Sequence, residues 1–185
     1  MKKLIYVLAF AVITASCNMP DNSGNMNSKA EANKARMQQF YDEVINAHNT
    51  AMLDSFCTPD FIDHNPDPGH TGKGIEDISA MFKSFMESFP DIHASTNFMI
   101  AQGDTVMAHI TMSGTNTGPM GGAPATNKQF SMDGIDVVVL KDGKAVERWG
   151  FFDNMKMMQQ LGMMPAPGTE GAPADSTMAK PEEKK

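Results

Sequence analysis

The apolar periodicity of this chain changes once, and that change limits the fold more than any other feature. Up to about residue 88 the apolar side chains recur at helical spacing. Met37, Phe40, Tyr41, Val44 and Ile45 form one stripe, which predicts a helix over residues 30–48. "TAMLDSFC" predicts a short second helix. Ile75, Ile78, Phe82, Phe85 and Met86 share one face of a third helix over 74–88, and Pro90 limits its extension. Beyond that point the period is two. In "TVMAHITMSG", Val106, Ala108, Ile110 and Met112 alternate with Thr105, Met107, His109 and Thr111. "STNFMIAQ" precedes this strand across "GD" at 103–104, a hairpin signal. "QFSMDGIDVVVLK" and "KAVERWGFF" are two further strands joined by "DG" at 142–143, and a last helix covers 153–161.

Two proline-rich stretches interrupt this pattern. "TPDFIDHNPDPGHTG" carries Pro59, Pro66 and Pro68, so only "DFIDHN" within it can be a short edge strand. "NTGPMGGAPATNK" is a long Gly/Pro loop between two strands. Helices first, then an antiparallel meander, then a small helix make an α+β fold. A curved sheet with helices across its open face forms a cone with a central pocket, the default place for a ligand.

The domain occupies residues 30–164 of the 185. Ahead of it, "MKK" and the apolar run "LIYVLAFAVI" read as a signal peptide over 1–16, too short to span a bilayer as a stable helix. "TASC" resembles the lipobox of a bacterial lipoprotein. That resemblance implies cleavage after Ser16, lipidation of Cys17, and a membrane-anchored place in the cell envelope. The other reading of the same residues is a plain secretory signal and a secreted or periplasmic protein. Residues 17–29 read as a flexible tether, and 165–185, rich in Pro, Ala, Gly and charge, as a disordered tail.

Loss of Lys2 and Lys3 with the leader takes the net charge from −7 to −9. An acidic surface of this kind offers nothing to nucleic acid. With Cys17 acylated, Cys57 has no disulfide partner and reads as a small buried hydrophobe.

The ordered set "FYDEVINAHNTAMLDSF", "PDFIDHNP", "GKGIEDISAMFKSFMESFPDIH", "AQGDTVMAHITMSGT", "FSMDGIDVVVLKDGKAVERW" and "DNMKMMQQLG" resembles the SnoaL-like polyketide cyclases of the NTF2-like superfamily. The resemblance covers residues 33–163. It implies a cone-shaped α+β barrel with a deep pocket, a hydrophobic small-molecule ligand, and often a homodimer built through the sheet. It also implies cyclisation of polyketide esters by proton removal next to a carbonyl, with no metal and no cofactor. In those cyclases the acidic base stands at the end of the last strand. Counting from "DGK" puts Gly150 there, a residue with no side chain to take a proton.

Three residues remain as a candidate acid/base set. Asp136 lies among β-branched residues in "GIDVVVL". Desolvation there favours the neutral acid, which suits general acid–base work near neutrality. The alternative is a structural carboxylate satisfied by a backbone amide or by His64. His64, in "FIDHNP", stands at the expected cavity mouth and can pair with Asp136 or serve as a hydrogen-bonded structural histidine. In an extended segment Asp63 and His64 point to opposite sides, so only one of them lines the cavity. Asp153 follows the last strand and precedes "NMKMMQQL", a place for chemistry or for an N-cap. Trp149, Phe61, Phe85 and Met132 are the expected pocket walls.

The histidines show no metal-ligand spacing, and "GHTGKG" lacks the remainder of a phosphate-binding loop. The chain's 18 methionines fill irregular walls, or, where clustered at "MKMM" and "GMMP", offer soft ligands to Cu(I). Two functions follow: an acid–base enzyme, or a non-catalytic small-molecule-binding lipoprotein.

Overall fold

The structure, a computed structural model, describes residues 23–165. The leader, Cys17, the first part of the tether and the tail beyond residue 165 lie outside the described residues.

Helix α1 (Ser23–Phe40) begins upstream of residue 30, within the segment read as tether. It passes directly into a π-helical segment, Tyr41–Asn46. Main-chain bonds spanning five residues hold this wider turn: Ala47 N donates to Asp42 O at 3.1 Å, and Asn49 N to Val44 O at 2.9 Å. The inserted residue rotates the apolar stripe, so that Tyr41, Val44 and Ile45 are all buried. Such segments are frequent at functional sites. Two side chains of α1 tie it to the sheet's turns. Asn33 Nδ2 donates to Gly103 O at 3.0 Å, and Arg36 Nε to Gly143 O at 3.0 Å.

After a 3₁₀ turn at Thr50–Met52 and the short helix α2 (Leu53–Phe56), the chain enters β1 (Cys57–Asp63). Cys57 thus opens a strand instead of ending a helix. It is buried, and burial pushes its thiol up to about 12. Helix α3 (Ile75–Ser88) follows, then β2 (His93–Gln102), β3 (Thr105–Thr115), β4 (Gln129–Lys141), β5 (Lys144–Phe152) and α4 (Asn154–Gln160). Among the described residues no helix is long and apolar enough to cross a membrane.

The five strands form one sheet in the order β1-β5-β4-β3-β2. The last four form the antiparallel meander, and β1 joins its edge parallel to β5. The "DG" turn between β4 and β5 has both residues at positive φ, Asp142 at 50° and Gly143 at 76°, the geometry a two-residue hairpin requires.

Period two divides the side chains of β3 and β4 between two faces. Val106, Ala108, Ile110 and Met112 of β3, and Phe130, Met132, Asp136, Val138 and Leu140 of β4, are buried on the concave face under α1 and α3. A fully buried Val106 or Ile110 stabilises the fold by about 1.5–3 kcal/mol. The opposite face carries Phe98, Ile100, Ile135 and Phe151, all exposed.

Candidate functional site

Two glycines shape the concave face where β4 and β5 meet. A Cβ at Gly134 would run into the ring of Phe152, and one at Gly150 into the guanidinium of Arg148. Arg148 and Gly150 share a face of β5, so Arg148 folds along its own strand over the bare backbone of Gly150. Register then brings three strands together: Asp136 of β4 stands opposite Gly150, and Asp63 of β1 opposite Arg148.

The result is a connected polar floor. Arg148 Nε donates to Asp136 Oδ1 at 2.8 Å, and Nη2 lies 2.7 Å from the same oxygen. Its Nη1 donates to Asp63 Oδ2 at 2.5 Å. The Tyr41 hydroxyl, brought inward by the π-helical segment, donates to Asp136 Oδ2 at 2.8 Å. Asp63 Oδ1 accepts from Asn65 N at 2.9 Å. The Asp63 and Asp136 side chains are 1% and 4% exposed, so their charges depend on Arg148 instead of water. Burial alone would pull the guanidinium down, but the two carboxylates outweigh it and hold Arg148 above its ordinary value. Tyr41 is held well above its ordinary value, first by burial and then by the charge of Asp136.

Two cavities flank this floor and share Phe40, Phe82, Asp136 and Arg148. The larger, about 100 Å³, is walled by Ile45, Phe85, Ile110, Met132 and Phe152, with Asn65, Asp67 and Asn154 adding polar atoms. The smaller, about 40 Å³, is lined by Phe56, Phe61, Ile78 and Leu140.

The loop after β1 closes over the larger cavity. Its ends are pinned by Asp63 N donating to Gly72 O at 2.7 Å and by the bridge between Ile62 and Lys73. Asp77, at the start of α3, accepts from Thr71 N at 2.9 Å and Gly72 N at 2.8 Å, and contacts His70 Nδ1 at 3.3 Å. Against a desolvation that pushes it up, these hydrogen bonds hold the Asp77 carboxyl below its usual value. Gly72 has φ of 70°, and a Cβ there would strike the carbonyl of Asp63. Asp67 belongs to an exposed stretch of the loop, yet it lines the cavity, and burial there raises its carboxyl above the usual value.

The structure does not join His64 to Asp136. Phe61 and Asp63 are buried toward the interior, which leaves His64 on the other side. Its Nε2 lies 2.9 Å from Glu147 Oε2, and its ring stacks on Trp149 at 4.2 Å and 6°. Trp149 is likewise absent from both cavity walls, because it alternates with the inward Arg148 and Gly150. Phe85 and Met132 line the larger cavity and Phe61 the smaller. Asp153 caps α4, its Oδ1 accepting from Lys156 N at 3.0 Å. It lines neither cavity; its neighbour Asn154 does.

Arg148, Tyr41 and Asp67 were not singled out from the sequence as site residues. Arg148 had a usable signal: a buried Asp needs a counter-ion, and Arg36 and Arg148 are the only arginines. Among the described residues no group of three or more His, Cys, Asp or Glu could hold a metal ion. Of the methionines near the C-terminal helix, Met157 is buried and Met158 and Met163 lie against the core, whereas Met155 and Met164 are exposed.

The fold agrees with what the chain is similar to. A family model described as SnoaL-like polyketide cyclase matches residues 35–161, and the chain belongs to that family. Aklanonic acid methyl ester cyclase DnrD of Streptomyces peucetius is 26% identical over 137 residues, covering 69% of this chain and 91% of the relative. Aklanonic acid methyl ester cyclase DauD of Streptomyces sp. (strain C5) is also 26% identical, covering 69% and 82%. The solved structure of TsrD from Streptomyces laurentii superposes with a TM-score of 0.65 at 26% identity, covering 72% of this chain and 97% of that one. IdmH from Streptomyces antibioticus gives 0.63 at 27% identity, with 70% and 98% covered.

Proposed function

We propose that this chain holds a hydrophobic small molecule bearing a carbonyl group in the larger cavity. There it performs cofactor-free acid–base chemistry at the carbon beside that carbonyl, a cyclisation or isomerisation. The observation that carries this reading is an aromatic cavity with a polar floor. Phe40, Phe82, Phe85 and Phe152 supply the apolar walls, and Arg148, Asp136 and Tyr41 stand together at one end. Three of the five N–H groups of Arg148 are directed at carboxylates, which leaves two for an acceptor such as a carbonyl oxygen. Stabilisation of the oxygen that becomes negative during proton removal is the largest single contribution such a site can make. Family membership supports the same chemistry.

A second reading, a non-catalytic binding protein, has its own observation. Gly150 stands where the cyclases' base is expected, and a guanidinium fills the space a side chain would need. One experiment separates the two. The protein is incubated in heavy water with β-keto esters and aromatic polyketide-like esters, and NMR follows both ligand binding and loss of the α-proton. Binding with exchange supports the enzyme. Binding without exchange supports the binding protein, and absence of both rejects the cavity as the functional site.

The membrane anchor through Cys17, and with it a place at the cell envelope, belong to this proposal and rest on the leader sequence alone. Homodimerisation through the sheet is supported by the exposed row Phe98, Ile135 and Phe151, an apolar patch of the kind that marks an interface.

A further inference from the structure

The carboxylates around the cavity are not equivalent. Asp136 has both oxygens engaged, one by Tyr41 and one by Arg148. Asp63 has both engaged as well, by Asn65 N and Arg148. Both carboxylates are thus committed to partners within the protein, through bonds to Arg148 that are charge-assisted. Asp67 lines the larger cavity with Asp136, and among the described residues its carboxylate has no hydrogen bond or ion pair. Its position is nonetheless well determined. Pro66 and Pro68 flank it and restrict the backbone on either side. The loop is pinned at Asp63–Gly72 and fastened to α3 by Asp77.

We infer that Asp67 is the proton-accepting group of this cavity, and that Asp136 is a positioning residue that holds Arg148 toward the ligand oxygen. The inference rests on the acid–base reading given above. In the step, an oxygen of Asp67 takes the proton from the carbon beside the carbonyl. The C–H electron pair becomes the new C=C bond, and the carbonyl π pair moves onto oxygen. That oxygen accepts N–H hydrogen bonds from Arg148. Return of the proton from Asp67 to carbon reverses each movement, so the step needs no oxidant or second reactant. In heavy water the returned particle is a deuteron.

The groups facing Asp67 set its titration. Burial raises its carboxyl; Arg148 of β5 lowers it, Asp63 of β1 raises it and His70 of the same loop lowers it, with a net upward result. The base form therefore appears above the ordinary carboxylate value of 3.8.

The test compares the wild type, Asp67→Asn and Asp136→Asn in the heavy-water exchange with the same panel of esters, across pH. Asp67→Asn is expected to lose exchange by about a hundredfold to ten-thousandfold. Its melting temperature stays at the wild-type level, because the carboxylate makes no hydrogen bond or ion pair among the described residues. Wild-type exchange rises with pH through a limb above 3.8, and the limb disappears in Asp67→Asn. Asp136→Asn binds esters more weakly and melts lower, but its residual exchange keeps the limb. Exchange that survives Asp67→Asn, or a limb lost only in Asp136→Asn, overturns the assignment while leaving the acid–base reading intact. A wild type that exchanges no ester in the panel overturns that reading, and this assignment falls with it.

Discussion

The floor and the mouth of the cavity carry the same kind of group in opposite condition. At the floor, Asp63 and Asp136 are buried and bound to Arg148 from adjoining strands of a rigid sheet. At the mouth, Asp67 sits on a loop with a free carboxylate that the surrounding protein partly desolvates. The floor depends on ion pairing for its integrity. The mouth depends on a few backbone hydrogen bonds to Asp77 and on two prolines. A carboxylate inside a saturated network stabilises and positions, whereas an unpaired one at the edge of an apolar cavity is free to exchange a proton. The identity of the residue type does not distinguish them; the partners do.

The sharpest way to break this contrast is to remove the floor's cation. Arg148→Met leaves two buried carboxylates with no counter-charge and is expected to cost about 3–5 kcal/mol of stability in urea denaturation. A loss below about 1 kcal/mol would mean that water already reaches the floor and screens its charges.

Tyr41→Phe tests the other side of the same network. It removes the hydroxyl that donates to Asp136 Oδ2 and is expected to cost about 1–3 kcal/mol, read by the same denaturation. Ligand affinity should fall with it if the floor acts as one unit, and the two variants combined should be less than additive.

The smallest effect belongs to the mouth. Asp77 has a folded-state value held below the ordinary 3.8. The loop stability it contributes is fully present above 3.8 and is lost as the pH falls through the lower folded value. NMR should show the Thr71 and Gly72 amide resonances moving toward disordered positions only below pH 3.8, while Tyr41 and Val106 remain native. If the core signals move first, loop and floor open as one unit.

Much of this architecture was legible along the chain. The switch from helical to twofold spacing located the helices and the meander, because burial of one face leaves a period in the local sequence. The "DG" turn and the cap at Asp153 were legible for a similar reason: both depend on residues within a few positions of each other. The inward side of β1 was not. Its pattern is short and partly polar, and pairing with β5 turned Asp63 in and His64 out. Trp149 followed the same logic, since its neighbour Gly150 had to face inward to let Arg148 lie flat.

By itself, then, the sequence determined the α+β order of elements, the apolar face of each and the presence of a carboxylate on the sheet's inner side. Tertiary structure alone decided what that carboxylate does. Asp136 and Asp63 stand far apart in sequence, and both are bound to Arg148 only because β1, β5 and β4 lie side by side in one register. Asp67, only four residues beyond Asp63, lines the larger cavity without joining that network. Periodicity is a local property of a chain, whereas charge compensation depends on what the fold brings within about 3 Å.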